Sequence, residues 1–101
     1  MMLSNEQTYA AIAEMPYPKV TKEIIDARIA KREFMVLPNS TVTICNLTLD
    51  NGFSVRGESA CVDKRNFNLE IGEKLAYDDA FRKLWHLFGF MLAERRFAVG
   101  S

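Results

Sequence analysis

The chain has 101 residues, of which 49% are hydrophobic and 26% are charged. This length and composition are typical of one globular domain with a single core, and they exclude a disordered tail or a fibrous repeat. Thirteen basic residues balance thirteen acidic ones. This balance argues against nucleic acid as a partner, because non-specific binding of that kind depends on clustered Lys and Arg neutralising phosphates.

The cysteines and the hydropathy pattern indicate the compartment. Cys45 and Cys61 are too few for a disulfide-stapled scaffold, and their spacing fits no common metal or redox motif. The N-terminus has no basic start followed by an apolar run, and no stretch is apolar for long enough to span a membrane. We therefore expect a soluble intracellular protein with reduced thiols, no membrane contact, no metal and no cofactor.

Residues 1–18 are predicted to form a loosely attached N-terminal arm. The stretch from Glu6 to Met15 is weakly helical, and Pro16 and Pro18 prevent the helix from continuing because their φ angles are fixed and they lack a backbone donor. The apolar residues of the arm can dock either on the domain itself or on a neighbouring subunit. The sequence leaves both arrangements open.

A short helix and a buried strand are predicted next. Thr21 is a suitable N-cap for a helix from Lys22 to about Lys31, whose isoleucines share a face. The unbroken apolar run Phe34–Leu37, ended by Pro38, is typical of a strand that is covered on both sides.

The clearest predicted feature is a β-hairpin. Two β-rich runs, 41–49 and 53–59, are separated by Asp50-Asn51-Gly52, which is the chemistry of a tight turn. A two-residue loop would put Leu49 opposite Ser54 and so mix apolar with polar side chains. A three-residue loop avoids this mismatch, and it requires Gly52 in the left-handed conformation.

The three-residue loop predicts which residues form the apolar face of the hairpin. In this register Leu49 lies opposite Phe53 and Leu47 lies opposite Val55. Val42 and Ile44 have the opposite parity. Either a bulge intervenes in the strand or this end of the hairpin is covered on both faces.

A long C-terminal helix completes the prediction. After a short turn at 63–67, Asn68 can cap a helix that begins at Leu69. Its apolar residues follow the spacing of one helical face: Tyr77, Phe81, Leu84, Trp85, Phe88, Met91 and Leu92. We predict an α+β fold in which a small antiparallel sheet built on a β-hairpin packs against this helix and the shorter N-terminal one. The domain spans 19–97, and 98–101 form a frayed tail.

Several segments together resemble one protein family. They are Leu47–Cys61, Asn66-Phe67, Glu70-Ile71-Gly72, Val20-Thr21 and Trp85–Leu92. Over about residues 18–96 the chain resembles a family of small tailed-phage and prophage proteins typified by a Shigella-phage "gene sixty-six" product. The resemblance implies a phage origin but no catalytic chemistry. One departure is His86, where members of the family often carry proline.

Candidate catalytic and metal-binding residues do not form a convincing site. Ser59, Asp78 or Asp79, and His86 occur in the chain order of the α/β-hydrolase triad. The segment around Ser59, however, continues a hairpin strand instead of turning into a helix, and the chain is too short for that fold. Adjacent aspartates on a helix point about 100° apart, and a single histidine cannot build a zinc site. We expect a protein that is not an enzyme.

Two features indicate binding surfaces. Arg56, Lys64 and Arg65 can converge beyond the end of the hairpin as a small anion patch, although scattered surface charge is the simpler interpretation. The aromatic residues are numerous for one small core, and some of them, including Phe90, fall off the main helical stripe. Surplus aromatic residues favour a protein interface.

The leading hypothesis from the sequence is a non-enzymatic phage accessory protein in the host cytoplasm that binds a host protein, in host takeover or anti-defence, or that self-associates. The first alternative is a binder of small ligands or nucleotide signals formed between subunits, using Arg56 or Arg65 with an aromatic platform. The second alternative is a nucleic-acid binder.

Overall fold

The structure is a computed structural model that describes residues 2–100; Met1 and Ser101, the last residue of the predicted tail, lie outside it. The elements in chain order are α1 (Asn5–Ala13), α2 (Lys22–Arg28), β1 (Ile29–Val36), β2 (Val42–Leu49), β3 (Ser54–Ala60), a single 3₁₀ turn (Lys64–Asn66) and α3 (Leu69–Ala98). The three strands form one antiparallel sheet in the order β1-β2-β3. The predicted α+β fold is confirmed.

Each helix begins at a polar side chain that accepts a hydrogen bond from the first turn. Ser4 accepts from the backbone N–H of Gln7, whose side chain bonds back to Ser4 as a capping box. Thr21 caps α2 and Asn68 caps α3, as the sequence predicted. Local sequence therefore determines where the helices start.

The hairpin has the predicted three-residue loop. The N–H of Leu49 bonds to the carbonyl of Phe53 at 2.7 Å, and Leu47 lies opposite Val55. Gly52 has a φ of +91°, a conformation that side-chain-bearing residues rarely adopt. The matching of apolar residues across the strands thus predicted the register correctly.

The core lies between the sheet and α3. Leu47, Leu49 and Val55 of the sheet and Leu84 and Phe88 of α3 are buried where the two layers meet. Trp85 packs at the margin of this core. The predicted apolar face and its helical cover are confirmed for Leu47, Leu49 and Val55, whereas Phe53, at the loop end of this face, is 55% exposed.

The closest approach of helix and sheet is made by small residues. Gly57 of β3 lies directly under Ala76 and Ala80, both fully buried. A Cβ built on Gly57 would lie 2.2 Å from the backbone nitrogen of Ala80, so only glycine leaves room for the helix here. The helical stripe predicted from large apolar residues did not include these alanines.

The predicted boundary between α2 and β1 was wrong. The helix ends at Arg28 and not near Lys31, because the carbonyl of Arg28 accepts the N–H of Asp50 from the hairpin loop at 2.8 Å. The Arg28 side chain also bonds to the Asp50 carboxylate. Ile29 then begins a strand that pairs with β2. Pairing across the sheet therefore takes precedence over local helix propensity.

The prediction that the strand around Phe34–Leu37 is covered on both sides was also wrong. Apart from Ile29, every residue of β1 is exposed. The helix α3 lies across β2 and β3, and β1 extends beyond its reach at the edge of the sheet.

Val42 and Ile44 occupy the face of the sheet opposite α3. The pairing of β2 with β3 continues without a register shift from Thr48 to Val42, so no bulge lies between them, and both residues are only partly buried. The two predicted alternatives, a bulge in the strand or cover on both faces, are therefore both wrong. Val42 and Ile44 are apolar residues on a face of the sheet that remains uncovered.

Candidate functional site

The uncovered side of the sheet, hereafter the open face, is formed by the residues of the three strands that point away from α3. Directly opposed residues in antiparallel strands share a face, so the pairs Met35–Ile44 and Glu33–Asn46 both belong to it. Asn46 in turn lies opposite Arg56 of β3. No described helix or loop is packed over the centre of this face.

One half of the open face carries an ordered polar row across all three strands. The Asn46 amide donates to the Glu33 carboxylate at 3.3 Å, and its oxygen accepts from the Arg56 guanidinium at 3.1 Å. Arg56 also donates to the Ser54 hydroxyl at 3.1 Å. These bonds hold the central amide and the arginine in fixed positions, so the row has a defined pattern of donors and acceptors.

The other half of the open face is apolar. Met35 is 52% exposed, and Leu37, Val42 and Ile44 extend the patch to the end of the hairpin. A shallow hollow of about 390 Å³ lies where the two halves meet, between Met35, Ile44 and Arg56. An exposed apolar patch with a polar border has the arrangement found in protein interfaces.

The predicted binding residues occupy separate parts of the molecule. Arg56 is on the open face, whereas Lys64 and Arg65 lie in the 3₁₀ turn after β3. Arg65 is paired with Asp63, and the hydrogen bond between them raises the pKa of Arg65 and lowers the pKa of Asp63. Phe90 is exposed on α3. The cavities that include Arg56 include neither Lys64 nor Arg65.

The N-terminal helix stacks on the same chain through an aromatic contact. The ring of Tyr9 lies 5.5 Å from that of Trp85 in a stacked arrangement, and Trp85 meets Phe81 edge to face at 6.1 Å. A cleft of about 410 Å³ opens between α1 and α3 beside these rings. The charged groups at its rim are already bonded, Asp78 to Lys74 and Arg82 to Asp79, so the cleft offers an anion little free positive charge.

Two of the side chains in hydrolase-like order, Ser59 and Asp79, are engaged in contacts between β3 and α3 or within α3. The Ser59 hydroxyl donates to the carbonyl of Gly72 at 2.7 Å, which ties β3 to α3. Asp79 accepts from the backbone N–H of Glu58 at 3.0 Å and from Arg82 at 2.9 Å, and these bonds lower its pKa. His86 is exposed on α3. These contacts are structural ones.

The two cysteines differ in their surroundings. Cys45 is fully buried, and desolvation raises the pKa of its thiol to about 11. Cys61 is partly exposed, and its thiol donates to the carbonyl of Asp63. Both are free thiols. Among residues 2–100, no group of three or more His, Cys, Asp or Glu side chains is placed to hold a metal ion.

The comparison with protein families gives a match over most of the chain. The model of the phage protein (N4 Gp49/phage Sf6 gene 66) family matches residues 20–96. The chain belongs to this family. No curated protein and no solved structure matches the chain. Within the described part of this phage protein, no helix has the length and apolarity needed to cross a membrane.

Sequence reasoning identified Arg56 but missed the residues that surround it. Glu33 and Met35 reach the open face only because β1 pairs with β2, and Asn46 links the two edge strands. The signal in the sequence was that the apolar residues of β2 switch from even positions, Val42 and Ile44, to odd positions, Leu47 and Leu49. Apolar residues of both parities on one strand indicate that both faces carry apolar surface.

Proposed function

We propose that this phage protein is a non-enzymatic accessory module that acts in the host cytoplasm by binding a host protein through the open face of its sheet. The observation that carries the proposal is the uncovered apolar patch of Met35, Leu37, Val42 and Ile44 beside the ordered row around Asn46. Apolar contacts of this kind provide the binding energy, and the fixed polar groups provide orientation and specificity. Interference with host defence or metabolism is the role that suits such a module.

The distribution of charge supports a protein partner over nucleic acid or a nucleotide. Several basic side chains are paired with acidic ones, as in Lys22–Asp26, Arg28–Asp50 and Lys74–Asp78. A phosphate-binding surface needs clustered basic groups that are free to release counterions. The open face has one arginine, and its guanidinium is bonded to Asn46 and Ser54.

The lack of a catalytic role is part of the same proposal. Ser59 and Asp79 act as links between β3 and α3, and the pKa of the buried Cys45 thiol is raised, which disfavours the nucleophilic thiolate. A reactive thiol needs partial exposure and a lowered pKa.

The test is affinity capture from host lysate followed by measurement of binding with the purified partner. Ile44→Asp places a charge at the centre of the open face, on the interior strand. Val62→Asp introduces the same charge at a fully exposed loop position and is the matched control. We expect one host protein to be captured by the wild type and by Val62→Asp, and its affinity for Ile44→Asp to fall at least about 100-fold, the size typical of a hot-spot residue. Equal binding of both variants, or no specific host protein, would refute the proposal.

A further inference from the structure

The two edge strands of the sheet differ in how far their outward backbone groups are bonded by other parts of the chain. In an antiparallel strand, residues that bond to one neighbour alternate with residues whose backbone groups point the other way. Because Phe53 bonds to Leu49 of β2, the odd-numbered residues of β3 face β2. The backbone groups of Arg56 and Glu58 therefore point outward. One outward group of each residue is bonded to α3: the ammonium of Lys83 donates to the carbonyl of Arg56, and the Asp79 carboxylate accepts the N–H of Glu58. The β3 edge is therefore blocked.

The β1 edge has no such protection. The bond from the N–H of Leu37 to the carbonyl of Val42 establishes that the odd-numbered residues of β1 face β2. The backbone groups of Arg32, Phe34 and Val36 consequently point outward, and nothing in the described chain bonds to them. Their side chains are exposed as well. Edge strands are normally protected by proline, a bulge, charged side chains or a covering element, because bare ones pair with other chains. In β1 the register shift and the charged residues Lys31 to Glu33 lie in the first part of the strand, so the later part has no such device.

We propose that β1 is the docking edge for a second copy of this chain, in an antiparallel arrangement centred on Phe34, which joins two sheets into one of six strands. Three observations support a second copy in this register: the direction of the outward groups, the length of the regular strand and the positions of the charges.

The regular part of β1 defines the centre of the pairing. The register with β2 shifts between Ile29 and Lys31, and from Lys31 onward it runs without interruption to Leu37. The midpoint of that stretch is Phe34. A twofold axis at Phe34 places Arg32 opposite Val36 of the other copy and Phe34 opposite itself. All the outward groups then pair, with about six hydrogen bonds, two for each of three pairs.

The charges favour this register over those centred nearer the start of the strand. Shifting the centre by one residue to Glu33 would put two glutamates directly opposite each other, and a centre at Arg32 would oppose two arginines. Like charges directly opposite in adjacent strands are destabilising. With the centre at Phe34, the charged residues face apolar ones, Lys31 opposite Leu37 and Glu33 opposite Met35. Phe34 lies opposite the buried Cys45, so the exposed Phe34 rings meet on the same side of the sheet as α3, at the edge that the helix does not reach.

A charge swap at the twofold position tests the proposal on purified protein. Phe34→Lys and Phe34→Glu each place like charges opposite each other in the dimer but opposite charges when the two variants are mixed. Phe97→Lys, at an exposed aromatic near the end of α3, is the matched control. The measurements are analytical ultracentrifugation and native mass spectrometry, with one variant carrying a mass tag, and far-UV circular dichroism to compare the folds.

We expect the wild type and Phe97→Lys to be dimers, each Phe34 variant alone to dissociate with a Kd at least about tenfold higher, and their equimolar mixture to form heterodimers. The mixture also separates loss of pairing from loss of folding, because misfolded chains would not be rescued. A wild type that stays monomeric, a Phe34 variant that dimerises as the wild type does, or a mixture that fails to pair would each overturn the proposal. Binding of a host protein through Ile44 is measured separately, so either proposal can fail without the other.

Discussion

The contact between Gly57 and α3 gives the sharpest prediction for stability. In Gly57→Ala the new methyl group would lie 2.2 Å from the nitrogen of Ala80 and 2.3 Å from the carbonyl oxygen of Ala76. These are backbone atoms in the middle of a helix, so no side-chain rotation can make room. The φ angle of Gly57 is not positive, and the glycine is needed here for space alone.

The expected cost follows from the distance that must be restored. Ordinary contacts begin at 3.4 Å, so strand and helix must separate by about 1 Å, a gap that forfeits a quarter to a half of the dispersion energy of the atoms facing it. Overpacking of a core costs about 1–3 kcal/mol and sometimes more. We expect Gly57→Ala to lower the free energy of unfolding by about 3 kcal/mol, which corresponds to a Tm lower by about 12–24 °C in a domain of this size.

Gly89→Ala is the matched control because it makes the same chemical change where the glycine has open space. Apart from the neighbouring residues and the backbone of the surrounding helical turns, no atom lies within 4 Å of the added methyl group, and alanine is about 0.8–1.0 kcal/mol better than glycine inside a helix. Urea unfolding followed by circular dichroism should show opposite signs for the two variants. If Gly57→Ala unfolds within about 0.5 kcal/mol of the wild type, the packing argument is wrong.

Three further predictions concern other parts of the molecule. In the native protein a thiol reagent should label Cys61 and leave Cys45 unmodified, because burial raises the pKa of Cys45 to about 11, and both should react in denaturant. Asp79→Asn should make the loss of stability in acid shallower. The hydrogen bonds that lower the pKa of Asp79 stabilise the fold at pH values above the pKa of the unfolded chain, and this contribution is lost as the pH falls through the pKa of the folded protein. Urea unfolding at a series of pH values measures the difference. Tyr9→Ala should shift the emission of Trp85 to longer wavelength and cost about 0.5–1.5 kcal/mol, because the stacked ring is removed, as fluorescence and thermal unfolding would show.

Each of these predictions has a control and a contrary outcome. Cys61→Ser should show no labelling under native conditions, and rapid modification of that variant would contradict the burial of Cys45. An acid profile of Asp79→Asn identical to that of the wild type would mean that the bonds to Arg82 and Glu58 contribute nothing. Tyr17→Ala removes an exposed tyrosine from the same arm; if it changes the emission as much as Tyr9→Ala does, the stacking is not the cause.

Local chemistry made part of the fold predictable. The caps at Thr21 and Asn68 begin their helices because their side chains accept orphan N–H groups of the first turn. Gly52 accommodates the loop because it can adopt a positive φ, and the match of Leu47 with Val55 selects the register. All of these depend on residues close together in the chain.

The candidate site was less predictable because it depends on contacts between distant segments. The sequence grouped Arg56, Lys64 and Arg65 as one anion patch, but the chain direction carries the latter two beyond the end of β3. The partners of Arg56 on the open face come from β1 and β2. Their place beside Arg56 depends on the pairing of β1 with β2, which was not predicted because the residues up to about Lys31 were assigned to a helix.

By itself the sequence determined the class of the fold, the hairpin register and the face of α3 that covers it, because periodicity and turn chemistry act over a few residues. Only the tertiary structure decided where α2 ends and which strand is bare. The N–H of Asp50 donates to the carbonyl of Arg28, so α2 ends there and β1 begins at the next residue. The close contact of α3 with Gly57 places the helix over β2 and β3. Each of these two contacts joins segments that are far apart in the chain, so a pattern of neighbouring residues cannot predict it.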